Sequence, residues 1–137
     1  MTDDPLHRFV DAQAGLYADA LGELRAGRKR THWMWFVFPQ IEGLGHSAMA
    51  QRYAIQSRAE AAAYLAHDVL GPRLREATQA MLDVPGRTAH EILGSPDDVK
   101  FRSCLTLFDA IAPNDVFDRA LVRFYGGNRD PATLDRL

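Results

Sequence analysis

Two short stretches of this 137-residue chain hold side chains able to do chemistry. The first is Arg28-Lys29-Arg30-Thr31-His32-Trp33-Met34-Trp35-Phe36-Val37-Phe38-Pro39-Gln40, where three cations abut six bulky apolar residues, both tryptophans among them. Arg28, Lys29 and Arg30 are suited to gripping phosphate, the arginines in bidentate fashion. Trp33 or Trp35 could stack on a base or another flat ligand. A helix capped by Thr31 would add free backbone donors for an anion. His32 is a candidate proton shuttle, the usual work of an imidazole near neutral pH. Gln40 could read an amide edge of a ligand. The same residues also read as a solvated basic loop in front of core aromatics, with His32 bonding a carbonyl and Gln40 pairing with loop backbone.

The second stretch is Ser95-Pro96-Asp97-Asp98-Val99-Lys100-Phe101. A cap, a proline and two acids make a helix start, and that accounts for Ser95 and Pro96. It does not account for Lys100, Ser103 and Thr106, which follow three apart, so that neighbours along the line touch. Such a line could face a polar cavity. Asp97 or Asp98, once buried there, could act as acid or base. Asp109 repeats the spacing, but the drift of a 3.6-residue turn takes it off the face. Serines and threonines inside helices also bond back to a carbonyl without other consequence. Ser47, just after Gly43-Leu44-Gly45, is a third candidate. Glycines let backbone approach a ligand closely, although the same residues make an ordinary loop and cap.

The elements that position these residues read as helices. Over residues 5 to 26, Leu6, Phe9, Val10, Gln13, Tyr17, Leu21 and Leu24 make one apolar stripe, started by Asp4-Pro5 and stopped by Gly27. The 31–40 segment predicts a short helix capped by Thr31 and ended by Pro39, although its aromatics would also alternate on a strand. Ser47 caps a helix through Ile55, and Ser57 with Glu60 forms a capping box for residues 58–66. Pro72 opens a helix bearing Leu74, Ala77, Met81 and Leu82. Thr88 and Glu91 box a short helix stopped at Gly94. The helix after Pro96 runs to about Ile111. Asn114 caps another, ended by Gly126-Gly127, and Asp130-Pro131 starts a last one. The expectation is all-α: a single domain over 1–137, of seven or eight short helices around an aromatic core.

Composition narrows the function classes. A net charge of −2 gives no overall attraction to nucleic acid or an acidic membrane, so anion binding must come from a local patch. No wider basic stripe supports RNA binding. The longest apolar run, Trp33 to Phe38, falls short of the roughly 20 residues of a membrane span. The first residues lack the basic and apolar regions of a signal peptide. With one cysteine, Cys104, these features lead us to expect a cytoplasmic protein. The five histidines (His7, His32, His46, His67 and His90) are not at metal spacings. No Walker loop, dinucleotide fingerprint or nucleophile elbow is present. No metal and no cofactor is expected.

Lys29 to Gln40, Gly43-Leu44-Gly45-His46-Ser47, Tyr53-Ala54-Ile55, Tyr64-Leu65-Ala66-His67, Leu70-Gly71-Pro72-Arg73-Leu74, Ser95 to Phe101 and Thr106-Leu107-Phe108 resemble a bacterial family of unknown function often labelled "calpastatin". The resemblance covers nearly the whole chain. It departs mildly at Thr31 and Cys104, where serine is usual or frequent. It implies a small helical cytosolic protein and supplies no catalytic residues. Calpastatin itself is a long, disordered inhibitor, whereas this chain has the pattern of a folded core. A fainter likeness, in the helix-rich pattern and Lys100-Phe101, is to the NADAR group linked to NAD and ADP-ribose chemistry.

Two functions follow as expectations. In one, a small phosphorylated, nucleotide-like ligand related to ADP-ribose is bound and its N-glycoside hydrolysed. Arg28, Lys29 and Arg30 hold phosphate, and Trp33 or Trp35 stacks. Gln40, Ser47 and Ser103 complete the binding set. Asp97 or Asp98 supplies charge, Lys100 orients it, and His32 moves a proton. In the other, the chain is a non-catalytic ligand-sensing or protein-interaction module. The first reading requires the two stretches to meet and wall one hollow; Asp97 and Asp98 lying far from Trp33 and Trp35 would favour the second.

Overall fold

The structure is a computed structural model that describes residues 4–137. Among these residues ten helices form and no strand does. Among the described residues the only pairing of strand type is an isolated parallel bridge between Ile41 and Ile55. None of the helices is long and apolar enough to cross a membrane.

The predicted helix over 5–26 is two helices, α1 (His7–Gln13) and α2 (Tyr17–Arg25). Ala14 is extended and Gly15 takes φ +80°, which turns the chain between them. The apolar stripe survives this break. Leu6, Phe9, Gln13, Tyr17, Leu21 and Leu24 are all buried, because the turn keeps both helices on one side of the core.

The 31–40 segment is helical for one turn only, α3 (Met34–Val37), with Trp33 at its start. Thr31 caps nothing, because its N–H and hydroxyl are both given to Glu23. Past Pro39 the chain extends. The Gln40 carbonyl accepts from the Ile55 N–H at 2.8 Å, and the Glu42 N–H donates back to the Ile55 carbonyl at 2.9 Å. Neither the helix nor the strand reading holds throughout. Aromatic bulk is satisfied by one turn that buries Met34, Phe36 and Val37, and the extended remainder finds a short partner at Ile55.

Ser47 does cap α4 (Ala48–Arg52), which ends before Tyr53. Ser57 caps α5 (Arg58–Ala66), but the box is open: the Glu60 carboxylate turns to the Gln56 N–H and to Arg8. Helix α6 (Leu70–Asp83) starts two residues before Pro72. Its Gly71 is obligatory, since a Cβ there would lie 2.1 Å from the Leu65 carbonyl oxygen. Helix α7 (Ala89–Leu93) has the full Thr88–Glu91 box. Helix α8 (Asp97–Ile111) begins one residue later than Ser95 predicts, with Pro96 and not Ser95 at the cap position. Helix α9 (Val116–Tyr125) is capped by Asp115 instead of Asn114, which takes φ +60°. Helix α10 (Pro131–Leu134) starts at Asp130-Pro131 as expected.

Helix α8 is the axis of the molecule. Phe101, Cys104, Leu105, Leu107 and Phe108 on it are fully buried, and α5, α7, α9 and α10 pack around it. Aromatic rings continue the core outward: Phe38 meets Phe101 at 4.7 Å, Tyr64 meets Phe108 at 5.4 Å, and Phe9 meets Tyr64 edge-on at 5.1 Å. Burial of these rings together with the aliphatic core is the main favourable contribution to folding.

Candidate functional site

The two nominated stretches meet. The Lys29 ammonium lies 2.9 Å from Asp97 Oδ2, and Lys100, one helical turn on, lies 3.8 Å from Asp97 Oδ1. Each lysine also faces a tryptophan, Lys29 at 5.1 Å from the Trp33 ring and Lys100 at 5.8 Å from Trp35. The Lys29 N–H donates to the Ile92 carbonyl at 2.7 Å, which ties the segment to α7.

One residue that sequence reasoning passed over fixes this segment. Glu23 on α2 accepts from the N–H groups of Arg30 and Thr31, from the Thr31 hydroxyl and from the Trp33 indole, at 2.6 to 3.0 Å. Burial alone would raise its pKa. The four donors outweigh that and bring the carboxyl down to about 2. The basic turn is therefore a fastened loop. Arg28 and Arg30 stay exposed, while Lys29 is drawn inward.

Next to this junction the surface is hollow. Gln40, Leu44, Gly45, Pro96, Val99, Lys100, Ser103, Asp130 and Ala132 line an open cleft of about 290 Å³. A tiny inner cavity of about 10 Å³ adjoins it, lined by Trp35, Gln40, Gly45 and Lys100 among others, with room for about one water. Gln40, Gly45 and Lys100 border both. Of the expected ligand residues, Gln40, Lys100 and Ser103 thus share one site, with Trp35 at its inner end. Among the described residues the Gln40 side-chain amide has no protein partner.

The remaining candidates fall elsewhere. Trp33 is 1% exposed, and its indole is spent on Glu23 and Phe38, so it has no face for a ligand. Lys29 is a counter-ion to Asp97, not a phosphate grip. Arg28 and Arg30 line a separate open cleft with Asp19, Gly22, Glu23 and Thr31. His32 is exposed, 6.5 Å from the Trp35 ring. Ser47 is an exposed helix cap, accepting from the Ala50 N–H at 3.1 Å. Asp97 holds two lysines, and Asp98 sits 3.4 Å from His90 while its carbonyl accepts from Tyr125. Neither aspartate lines the cleft.

The sequence model of a family described as "Protein of unknown function (DUF1810)" matches residues 3–137. The chain belongs to this family. The chain is also similar to the conserved hypothetical protein Rv1873 from Mycobacterium tuberculosis, whose crystal structure is known at 1.38 Å. The two share 53% identity over 98% of each chain, with a TM-score of 0.95. No curated protein matches the chain. The family description carries no activity and no ligand, and neither a calpastatin relationship nor an ADP-ribose one follows from it.

In this DUF1810 chain the polar line on α8 has a use that spacing alone did not reveal. It receives the C-terminal segment. Arg102 donates to the carbonyls of Asn128 and Arg129 at 2.8 and 2.6 Å. Ser103 donates to Asp130 at 2.8 Å, and Thr106 accepts from the Asp130 N–H at 2.9 Å. Asp109 pairs with Arg129 at 3.1 Å. Asp130 also takes the Thr133 hydroxyl at 2.6 Å. Burial would raise its pKa, but the hydroxyls of Thr133 and Ser103 outweigh that and hold it below the usual carboxylate range. Asp130 is the cleft's carboxylate. In sequence it is hidden behind Pro131, where it reads as a helix start.

Proposed function

We propose that the protein is a binding module for a small phosphorylated, nucleotide-like ligand held between Gln40, Lys100 and Asp130. The supporting observation is the convergence of Gln40, from the tryptophan segment, with Lys100 and Ser103, from the paired-aspartate helix, on one cleft. Lys100 supplies a point charge for phosphate. Gln40 offers an unpartnered amide to a base or sugar edge. Asp130, held by two hydroxyls, is placed to accept from ligand hydroxyls. Leu44, Val99 and Ala132 give apolar wall. A cleft of about 290 Å³ is near the small end of ligand pockets, which suits a nucleoside or sugar phosphate better than an intact dinucleotide. The faint NADAR likeness selects ribose-bearing phosphates among these.

Thermal-shift screening with NAD, ADP-ribose, nucleotides and sugar phosphates tests the reading. A ligand at about 100 times its dissociation constant stabilises by about 2.7 kcal/mol. No shift with any of them removes the nucleotide reading. The second reading, hydrolysis of an N-glycoside, has one observation in its favour: a carboxylate, Asp130, does line the cleft, although Asp97 and Asp98 do not. It predicts release of free base from a nucleoside or dinucleotide, lost in Asp130→Asn and followed by chromatography.

A further inference from the structure

Three charges, Lys29, Asp97 and Lys100, stand in a row beside the cleft, and they are not equivalent. The Lys29 side chain is only 9% exposed and sits at hydrogen-bond distance from Asp97. An ammonium so enclosed needs its counter-ion, since loss of one partner strands the other charge. The Lys100 side chain is 27% exposed, and at 3.8 Å its ammonium is too far from Asp97 for a hydrogen bond. Of the three, Lys100 alone lines the cleft. Two cations and one anion leave one positive charge, and the geometry leaves it at Lys100.

We propose that Lys29 sets the free charge at Lys100 without touching the contents of the cleft: by occupying Asp97 it leaves the Lys100 ammonium, in a cleft that also holds the Asp130 carboxylate, available to an anionic ligand group. Asp97 is then a counter-ion that competes with the ligand for Lys100 when Lys29 does not occupy it. This reverses the roles first expected, in which Lys100 orients Asp97. The inference rests on the reading of the cleft as an anion-binding site.

Charge balance makes the test specific. Ribose 5-phosphate is titrated calorimetrically into the full chain at low ionic strength, with uncharged ribose as control. Lys29→Met gives Asp97 to Lys100 alone and weakens ribose 5-phosphate binding about fivefold, the effect of a strong partly exposed pair. Asp97→Asn frees Lys100 and tightens binding about threefold, even where it lowers stability. The double variant Lys29→Met/Asp97→Asn restores the net charge and returns affinity to within about twofold of the parent. Lys100→Gln removes the sensitivity to all of these. The differences shrink in about 1 M salt, where the screening length is roughly 3 Å, and ribose affinity stays constant throughout.

Equal weakening in Lys29→Met and in the double variant overturns the proposal, because a merely structural Lys29 is not rescued by deleting Asp97. Should Lys29→Met not fold, the sign for Asp97→Asn decides: weaker binding overturns the proposal, tighter binding supports it. If the parent chain binds ribose 5-phosphate without this pattern, only the charge-setting role fails. If it does not bind at all, the cleft reading fails with it.

Discussion

The cleft has two unlike walls. The 28–40 segment brings Gln40 and Trp35, and the 128–137 segment brings Asp130 and Ala132. Both are short stretches holding a single helical turn, α3 in one and α10 in the other, and fastened to a helix by polar contacts. The first is also anchored by fully buried Trp33, Met34 and Phe38 and by an enclosed ion pair. The second buries little beyond Thr133, and leaves Leu134 49% and Leu137 37% exposed. It is fixed mainly by side chains reaching from α8. One wall is thus part of the core, and the other is laid onto it. Local opening free energy follows buried apolar contact, so the C-terminal wall is the one that yields first.

The largest expected effect is on the first wall. Trp33→Ala removes a fully enclosed ring and the indole donor to Glu23, and lowers unfolding free energy by about 3–5 kcal/mol in denaturant titration. A loss below about 1 kcal/mol would show that the segment is not core.

Glu23→Gln is next. It withdraws the charge from four donors and lowers stability at neutral pH by about 1.5 kcal/mol. The sign with pH is fixed by the depressed carboxyl. Its folded pKa lies near 2, below the ordinary value of 4.5. The stabilisation is complete above about pH 4.5 and fades as pH falls through about 2. The stability curves of parent and Glu23→Gln should converge over that window. Parallel curves down to pH 2 would mean that Glu23 contributes nothing through its charge.

Smaller again is loss of one tie on the second wall. Thr106→Val removes the acceptor for the Asp130 N–H and lowers global stability by about 1 kcal/mol. Its stronger signature is local: amide exchange should accelerate across residues 130–136 and stay unchanged at Arg30 and Thr31. Acceleration at both places would erase the difference between the walls.

What was legible in the sequence follows the same division. The apolar stripe of residues 6–24 identified its buried face, because 3.6-residue spacing reports burial even when the helix is interrupted. The interruption at Gly15 was not legible, since a lone glycine inside a periodic pattern reads as tolerated. The sequence states the meeting of the two stretches only as a condition; Lys29 pairs with Asp97, and Gln40 shares one cleft with Lys100 and Ser103. Pairing across many residues is decided by packing, which spacing does not encode. Ser103 and Thr106 stood out as polar residues on a buried helix, but their partner, Asp130, looked like a cap. Glu23 gave no signal: an acid on an amphipathic helix is ordinary until the chain returns to it.

The smallest effect concerns where the two walls touch beyond the cleft floor. The Arg136 guanidinium lies against Gly43, where a Cβ would come within 2.3 Å of Nη1. Gly43 precedes Leu44 and Gly45 of the cleft rim, and Arg136 follows Ala132 on the opposite rim. The contact joins exposed groups, so Arg136→Ala should change global stability by less than about 0.5 kcal/mol. It should still release the two rims from one another. Faster exchange at Glu42 to Gly45 together with Leu134 to Leu137 is expected, with α8 unaffected. Acceleration confined to the tail would show that the rims move independently, and that the C-terminal wall is held by the α8 strip alone.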